Sequence, residues 1–187
     1  MWKVQARRVL ERVLAVVLPA SVAERIRTSY STAGPATRRV LDPVLSVTRH
    51  MPVGHVGEFA LPDRPDIRIH AMESVLVRRL YWYGLDGYEP GEGRWWHQFC
   101  ARSTNILELG CNIGVYAVVG GLAAPTARYR AVDPHPDSIA AARRNLATNG
   151  VTNVELIQAA AVGVREGATA TLTLPAVEHY EAPTGAY

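Results

Sequence analysis

Between Asn105 and Val162 the chain alternates short apolar runs with longer stretches rich in small residues: "NILEL", "IGVYAVVGGLAA", "RYRAVD", "PDSIAAARRNLATNG" and "NVELIQAAAV". The first, third and fifth are short and apolar and read as buried strands. The second ends at Pro125. The fourth places Ile139, Ala142 and Leu146 on one face and has Gly150 just past its end, both helix signals. A strand–helix–strand–helix–strand series builds a parallel sheet, since a crossover helix is what returns the chain to the same strand direction. The expectation is an α/β, doubly wound domain with helices on both faces. An alternating run, "GATATLTLP", follows as a fourth strand.

Upstream, Gly34, Pro35, Pro43, Pro52 and Gly54 mark residues 28–55 as connecting segments around one short helix at 36–48. "DIRIHAMESVLVRRLYWYG" begins as a strand at Asp66 and continues as a helix ending at Gly84. "LDGYEPGEGRWWHQF" opens with turn residues and runs into an aromatic-rich helix. In that helix Trp95 and Trp96 read as core and packing residues, and His97 as structural. His50, His55, His70 and His179 show no metal-ligand spacing, so no metal site is expected.

Charge is distributed unevenly. Residues 1–50 carry nine basic against three acidic residues, a net of +6; the whole chain is +3, so the remainder is −3. The sequence pI of 9.1 therefore describes a basic arm on a mildly acidic body, which argues against a nucleic-acid-reading body. In the arm, Val9, Leu10, Val13, Val16 and Val17 recur at helical spacing among Arg7, Arg8 and Arg12. It reads as an amphipathic helix packed on the body or laid on an anionic membrane surface. A signal peptide is a third reading, interrupted by Glu11 and Arg12. No apolar run reaches the roughly 20 residues of a membrane span. The expected division is a basic helical arm, residues 1–55, and a ligand-binding domain, residues 56–187, in a cytoplasmic chain able to touch a membrane. Cys100 and Cys111 are too few for a disulfide framework.

The turn after the first strand, "ELGCNIG", carries the chemistry. Gly110 lets the backbone turn sharply and Gly114 lets the next helix approach, so helix-end amides face a ligand at the strand ends. Glu108, two residues before the turn, would repel a pyrophosphate. It suits a cation. S-adenosylmethionine has an ammonium and a sulfonium that a carboxylate attracts, and a carboxylate that helix amides can receive. Asp133, at the end of the second strand, can accept both ribose hydroxyl protons, or cap the following helix, or do both. A dinucleotide fingerprint needs Gly-x-Gly-x-x-Gly, and Asn112 and Val115 stand at its second and third positions, which weakens a NAD-linked reading. Asn112 reads either as a ligand contact or as a turn-stabilising side chain. Cys111, within the turn, reads as a small buried filler.

"ILELGCNIGVY", "YRAVDPHPDSIAAARRNLATNG" and "VELIQAAAVG", with "GYEPGEGRWWHQF" upstream, resemble the FkbM family of S-adenosylmethionine-dependent methyltransferases over roughly residues 84–175. The resemblance rests on the Gly-x-Asn-x-Gly turn with its preceding acid, the acid at the second strand, and the Asn145, Asn149, Gly150 helix end. The family more often has Glu where Asp133 stands, a mild departure. The resemblance implies a Rossmann-like class I methyltransferase sheet. It also implies that Glu108, Gly110, Asn112 and Gly114 surround the methionine part, with Cys111 in the same cofactor-binding turn, and Asp133 the ribose. Pro134 or His135 would lie near the adenine, with Gln158 and Ala159 at its edge. The implied reaction is O-methylation of a hydroxyl on a sugar, glycolipid or polyketide-type product, with no catalytic residue assigned.

A class I sheet has seven strands, and the family's next, Asp-bearing strand has no counterpart before Tyr187. The expectation is a partial, C-terminally truncated domain with a helical N-terminal extension. A noncatalytic module that binds the donor alone, or with a second chain completing the sheet, stays open, as does a NAD-linked oxidoreductase.

Overall fold

The computed structural model of the chain describes residues 20–48, 53, 56–72 and 74–161. The arm before residue 20 and the alternating run "GATATLTLP" lie outside the described residues. Two compact units are present: one comprises described residues up to Asp66 with Ala71–Pro90, the other Ile67–His70 with the described residues from Gly91 onward.

The first unit contains helix α1 (Ala20–Thr32), helix α2 (Pro35–Thr48), strand β1 (Glu58–Ala60) and helix α3 (Val75–Tyr88). Residues 28–32 are helical and not connecting chain, since nothing breaks α1 before Gly34. Ser74 begins α3 by accepting the Val77 amide at 3.0 Å. The expected stop at Gly84 is a kink (φ 73°), after which the helix resumes to Tyr88. The cause lies in a distant residue. The Asp63 carboxylate accepts the Leu85 and Asp86 amides at 3.1 and 3.0 Å and so caps the second segment. Buried Arg27 donates to the Ala60 carbonyl and lies 4.3 Å from the Tyr81 ring centroid, an attraction that offsets part of its desolvation.

The second unit contains strand β2 (Arg68–His70), helix α4 (Glu92–Ala101), strand β3 (Asn105–Leu109), helix α5 (Val115–Ala123), strand β4 (Arg128–Asp133), helix α6 (Pro136–Thr148) and strand β5 (Val154–Gln158). The sheet is parallel in the order β3-β4-β5, with Leu107 opposite Arg130 and Asp133 opposite Gln158. Strands laid side by side in sequence order, joined by crossovers of one hand, carry both helices to the same face. α5 and α6 touch each other accordingly. The expectation of helices on both faces is therefore corrected for this part of the sheet. The covered face buries Ile106, Glu108, Tyr129, Ala131 and Asp133; on the other face Leu107, Leu109, Arg128, Arg130 and Glu155 are exposed.

Gly114 marks where the two helices meet. Its φ is +76°, and a Cβ there would lie 2.8 Å from the Ala142 Cβ. Gly114→Ala is expected to cost on the order of 2–4 kcal/mol, from left-handed backbone strain and overpacking together. The double variant with Ala142→Gly should recover the overpacking part only, read by thermal melts. A single variant melting like wild type would refute this contact.

The Asn145 and Asn149 pair brackets β2 against α6. Asn145, 1% exposed, accepts the His70 amide at 2.9 Å and donates to the Ile113 carbonyl at 2.8 Å. Asn149 accepts the Arg68 amide and donates to the Arg68 carbonyl at 2.8 and 2.7 Å. Asn145 satisfies backbone groups in a buried place, where an unpaired group is costly, while Asn149 ties both polar groups of the exposed Arg68 backbone to the end of α6.

Candidate functional site

The carboxyl end of β3 leads into a turn in which Gly110, Asn112 and Gly114 have φ of 78°, 48° and 76°. Asn112 is the one non-glycine in that region among the described residues, and its short polar side chain tolerates it. The turn is tied to β4. The Gly110 and Cys111 amides donate to the Val132 carbonyl at 2.8 and 3.0 Å, and the Gly114 amide to the Cys111 carbonyl at 2.8 Å. The Asn112 amide donates to Asp133 Oδ2 at 2.9 Å. Four turn amides are thus spent on the protein itself. A pyrophosphate cradle needs such amides free. The helix-end donors left over are those of the first turn of α5.

Asp133, 7% exposed, uses its other oxygen, Oδ1, to accept the His135 amide at 2.9 Å. It therefore holds two loops together. The helix-capping role falls to His135, whose Nδ1 accepts the Asp137 amide at 3.1 Å with Pro136 at the first helical position. His135 is buried and Pro134 half-buried. Gln158 pairs in register with Asp133, the Ala159 amide donates to the Asp133 carbonyl at 3.2 Å, and both residues are exposed at the strand end.

Glu108 is 8% exposed, and Tyr129 Oη donates to its Oε2 at 2.8 Å. Burial pushes its carboxyl up to about 7; the Tyr129 hydrogen bond works against that shift, and nearby Asp133 adds to it. Burial, with Glu108 beside it, likewise drives the Tyr129 phenol upward, so it stays a donor. Cys111 is buried in the turn, its thiol pushed up to about 12 by burial and by Glu108 and Asp133. That fits a filler and not a nucleophile.

The fold therefore gathers Glu108, Gly110, Cys111, Asn112, Gly114, Asp133, Gln158 and Ala159 around the ends of β3, β4 and β5, with Pro134 and His135 just beyond β4. Tyr129 was not singled out by the sequence, although strand alternation puts it on the same face as Glu108. Trp95, read as a core residue, is 62% exposed and lines a groove beside Glu108. Trp96 keeps its packing role, donating to the Tyr116 carbonyl at 3.0 Å. Among the described residues no cluster of three or more His, Cys, Asp or Glu side chains is arranged for a metal. No helix there is long and apolar enough to cross a membrane.

What the fold and site define is a parallel α/β unit with acidic side chains at two neighbouring strand ends and a glycine turn between them. No protein-family model matches the chain, and no curated protein matches it. A solved structure described as a SAM-dependent methyltransferase from Agrobacterium tumefaciens is similar at 17% identity, over 51% of this chain and 30% of that one, with a TM-score of 0.40. The chain thus spans under a third of that protein's length, and a likeness this distant carries no argument about activity.

Proposed function

We propose that the chain binds S-adenosylmethionine as the donor-binding part of a methyltransferase. One observation carries the reading: a buried carboxylate, Glu108, stands beside a turn in which the Gly110, Cys111, Asn112 and Gly114 amides are already spent. Such a strand end attracts a cation and offers little to a diphosphate. A desolvated carboxylate held near neutrality gains most from a cationic group placed against it, so the residues present suit the donor's ammonium. When bound, the donor supplies an electrophilic methyl on a positively charged sulfur.

In this reading Glu108 orients the amino-acid end and Tyr129 holds the Glu108 carboxylate. Asp133 receives the ribose hydroxyls on the lone pairs that its two amide bonds leave over. The chain's part in the reaction is placement and exclusion of water. With the donor held by Glu108 and Asp133, its methyl would be open to an acceptor oxygen, and no residue of the chain is assigned as the base. The FkbM-type motifs support O-methylation of a hydroxyl on a sugar, glycolipid or polyketide-type product. Donor binding assisted by a second chain that completes the sheet is the alternative within this reading. The spent amides and the replacement of the second and third fingerprint glycines by Asn112 and Val115 count against NAD.

Calorimetry of folded protein with S-adenosylhomocysteine and with NAD tests the proposal. Saturable heat with the sulfur ligand and none with NAD is expected. The reverse pattern, or no heat with either, would remove it.

A further inference from the structure

Tyr129 of β4 and Glu108 of β3 lie on the covered face of the sheet, and Tyr129 is 1% exposed. Its ring rests against Gly120 of α5. A Cβ added there would come within 2.6 Å of Tyr129 Cε1, 2.8 Å of Cys100 Sγ and 3.0 Å of Trp96 Nε1. The glycine lets the ring sit where α4 and α5 meet, and packing this close leaves it no room to swing. The hydroxyl has one proton and two acceptors in reach: Glu108 Oε2 at 2.8 Å and the Tyr116 carbonyl at 3.4 Å. The Tyr116 carbonyl already receives the Trp96 indole N–H at 3.0 Å, so the phenol proton goes to the shorter bond, on Glu108. Among the described residues Tyr129 is the one hydrogen-bond partner of Glu108, and Oε1 carries no bond.

Resting on the donor-binding reading, we propose that Tyr129 sets the charge selectivity of this strand end, holding one oxygen of Glu108 and leaving the other to a ligand's cationic amine. Burial and nearby Asp133 of β4 both favour the protonated carboxyl, and Tyr129 is the one neighbour that favours the ionised form. The other groups facing Glu108 do not replace it. The Cys100 thiol of α4 and the Cys111 thiol of the turn are pushed up to about 11 and about 12, chiefly by burial, and stay neutral. Exposed Glu92 of α4 and Tyr116 of α5 line the space next to Glu108, and no lysine or arginine joins them. A basic partner would also hold the carboxylate, but it would cancel the charge. The neutral phenol leaves that charge for the ligand.

The test is calorimetry of wild type and Tyr129→Phe with S-adenosylhomocysteine and with adenosine, which has no ammonium, from pH 5.5 to 8.5. The variant keeps the ring and its packing and loses one oxygen. Losing a hydrogen bond to the charged form should raise the Glu108 carboxyl by about one pH unit. S-adenosylhomocysteine should then bind about fivefold more weakly than to wild type at pH 7 and within about twofold of it at pH 8.5. Adenosine should be unaffected throughout. In a Glu108→Gln background the same change should leave S-adenosylhomocysteine affinity unaltered at every pH. Equal losses for both ligands, or a loss that ignores pH, would overturn the proposal and leave Tyr129 a packing residue. Carbon-13 NMR of the Glu108 carboxyl without ligand should show it titrating about one pH unit higher in the variant. Wild type that does not bind S-adenosylhomocysteine fails at the donor reading; wild type that binds it, with Glu108 titrating alike in both proteins, fails at Tyr129 alone.

Discussion

Glu108→Gln should make the protein more stable at pH 8 while costing it the donor. The Glu108 carboxyl is pushed up to about 7, above its ordinary value of 4.5, first by burial. A carboxyl raised on folding is bound more tightly to its proton in the folded chain, so stability is lost as pH rises from about 4.5 through 7 and stays lost above that. At pH 8 the ionised side chain costs the fold on the order of 3 kcal/mol relative to its neutral form. Gln is neutral at every pH and keeps an oxygen for the Tyr129 hydroxyl. It should recover roughly 1–3 kcal/mol of that at pH 8 and almost nothing at pH 4. Donor affinity should fall by roughly 1.5–3 kcal/mol with the loss of a charge-assisted hydrogen bond. Thermal melts of both proteins across this pH range check the first half, and calorimetry with S-adenosylhomocysteine the second. A variant less stable than wild type at pH 8 would contradict the burial account.

Asp133→Ala should do the opposite and destabilise the chain at neutral pH. Its two oxygens separately accept the Asn112 and His135 amides at 2.9 Å in a nearly water-free place. Each charge-assisted bond is worth about 1.5–3 kcal/mol, so the expected loss for the two is roughly 3–6 kcal/mol. The Asn112 backbone, at positive φ, loses the partner that holds it there. Asp133→Asn keeps one acceptor and turns an amide NH2, a donor, toward the other loop's N–H, and should fall between wild type and Ala. Denaturant unfolding gives the magnitude. Hydrogen exchange should show the Asn112 and His135 amides deprotected ahead of the sheet. An Ala variant as stable as wild type would mean that the aspartate serves a ligand and not the turn.

The strands and their order of appearance were readable because short apolar runs, Pro125 and Gly150 are local signals. What stayed hidden depends on partners far along the chain. The restart of α3 after Gly84 comes from Asp63, 22 residues away. The Glu108–Tyr129 bond joins neighbouring strands whose register no local pattern states. The side of the sheet taken by α5 and α6 follows from strand order, which alternation of elements leaves open. Trp95 and Trp96 have the same chemistry and adjacent positions, yet one is exposed and the other hydrogen-bonded within the unit. The turn itself was legible through Gly110, Asn112 and Gly114. The consumption of its amides by Val132 and Asp133 was not.

The most direct test compares S-adenosylhomocysteine with 5′-methylthioadenosine, which shares the nucleoside and lacks the ammonium, titrated from pH 5.5 to 8.5. If ionised Glu108 receives the ammonium, affinity for the first rises about tenfold per pH unit up to pH 7 and then levels, while affinity for the second stays flat. Two flat curves, or two that rise together, would show that this carboxylate does not read the ligand's positive charge.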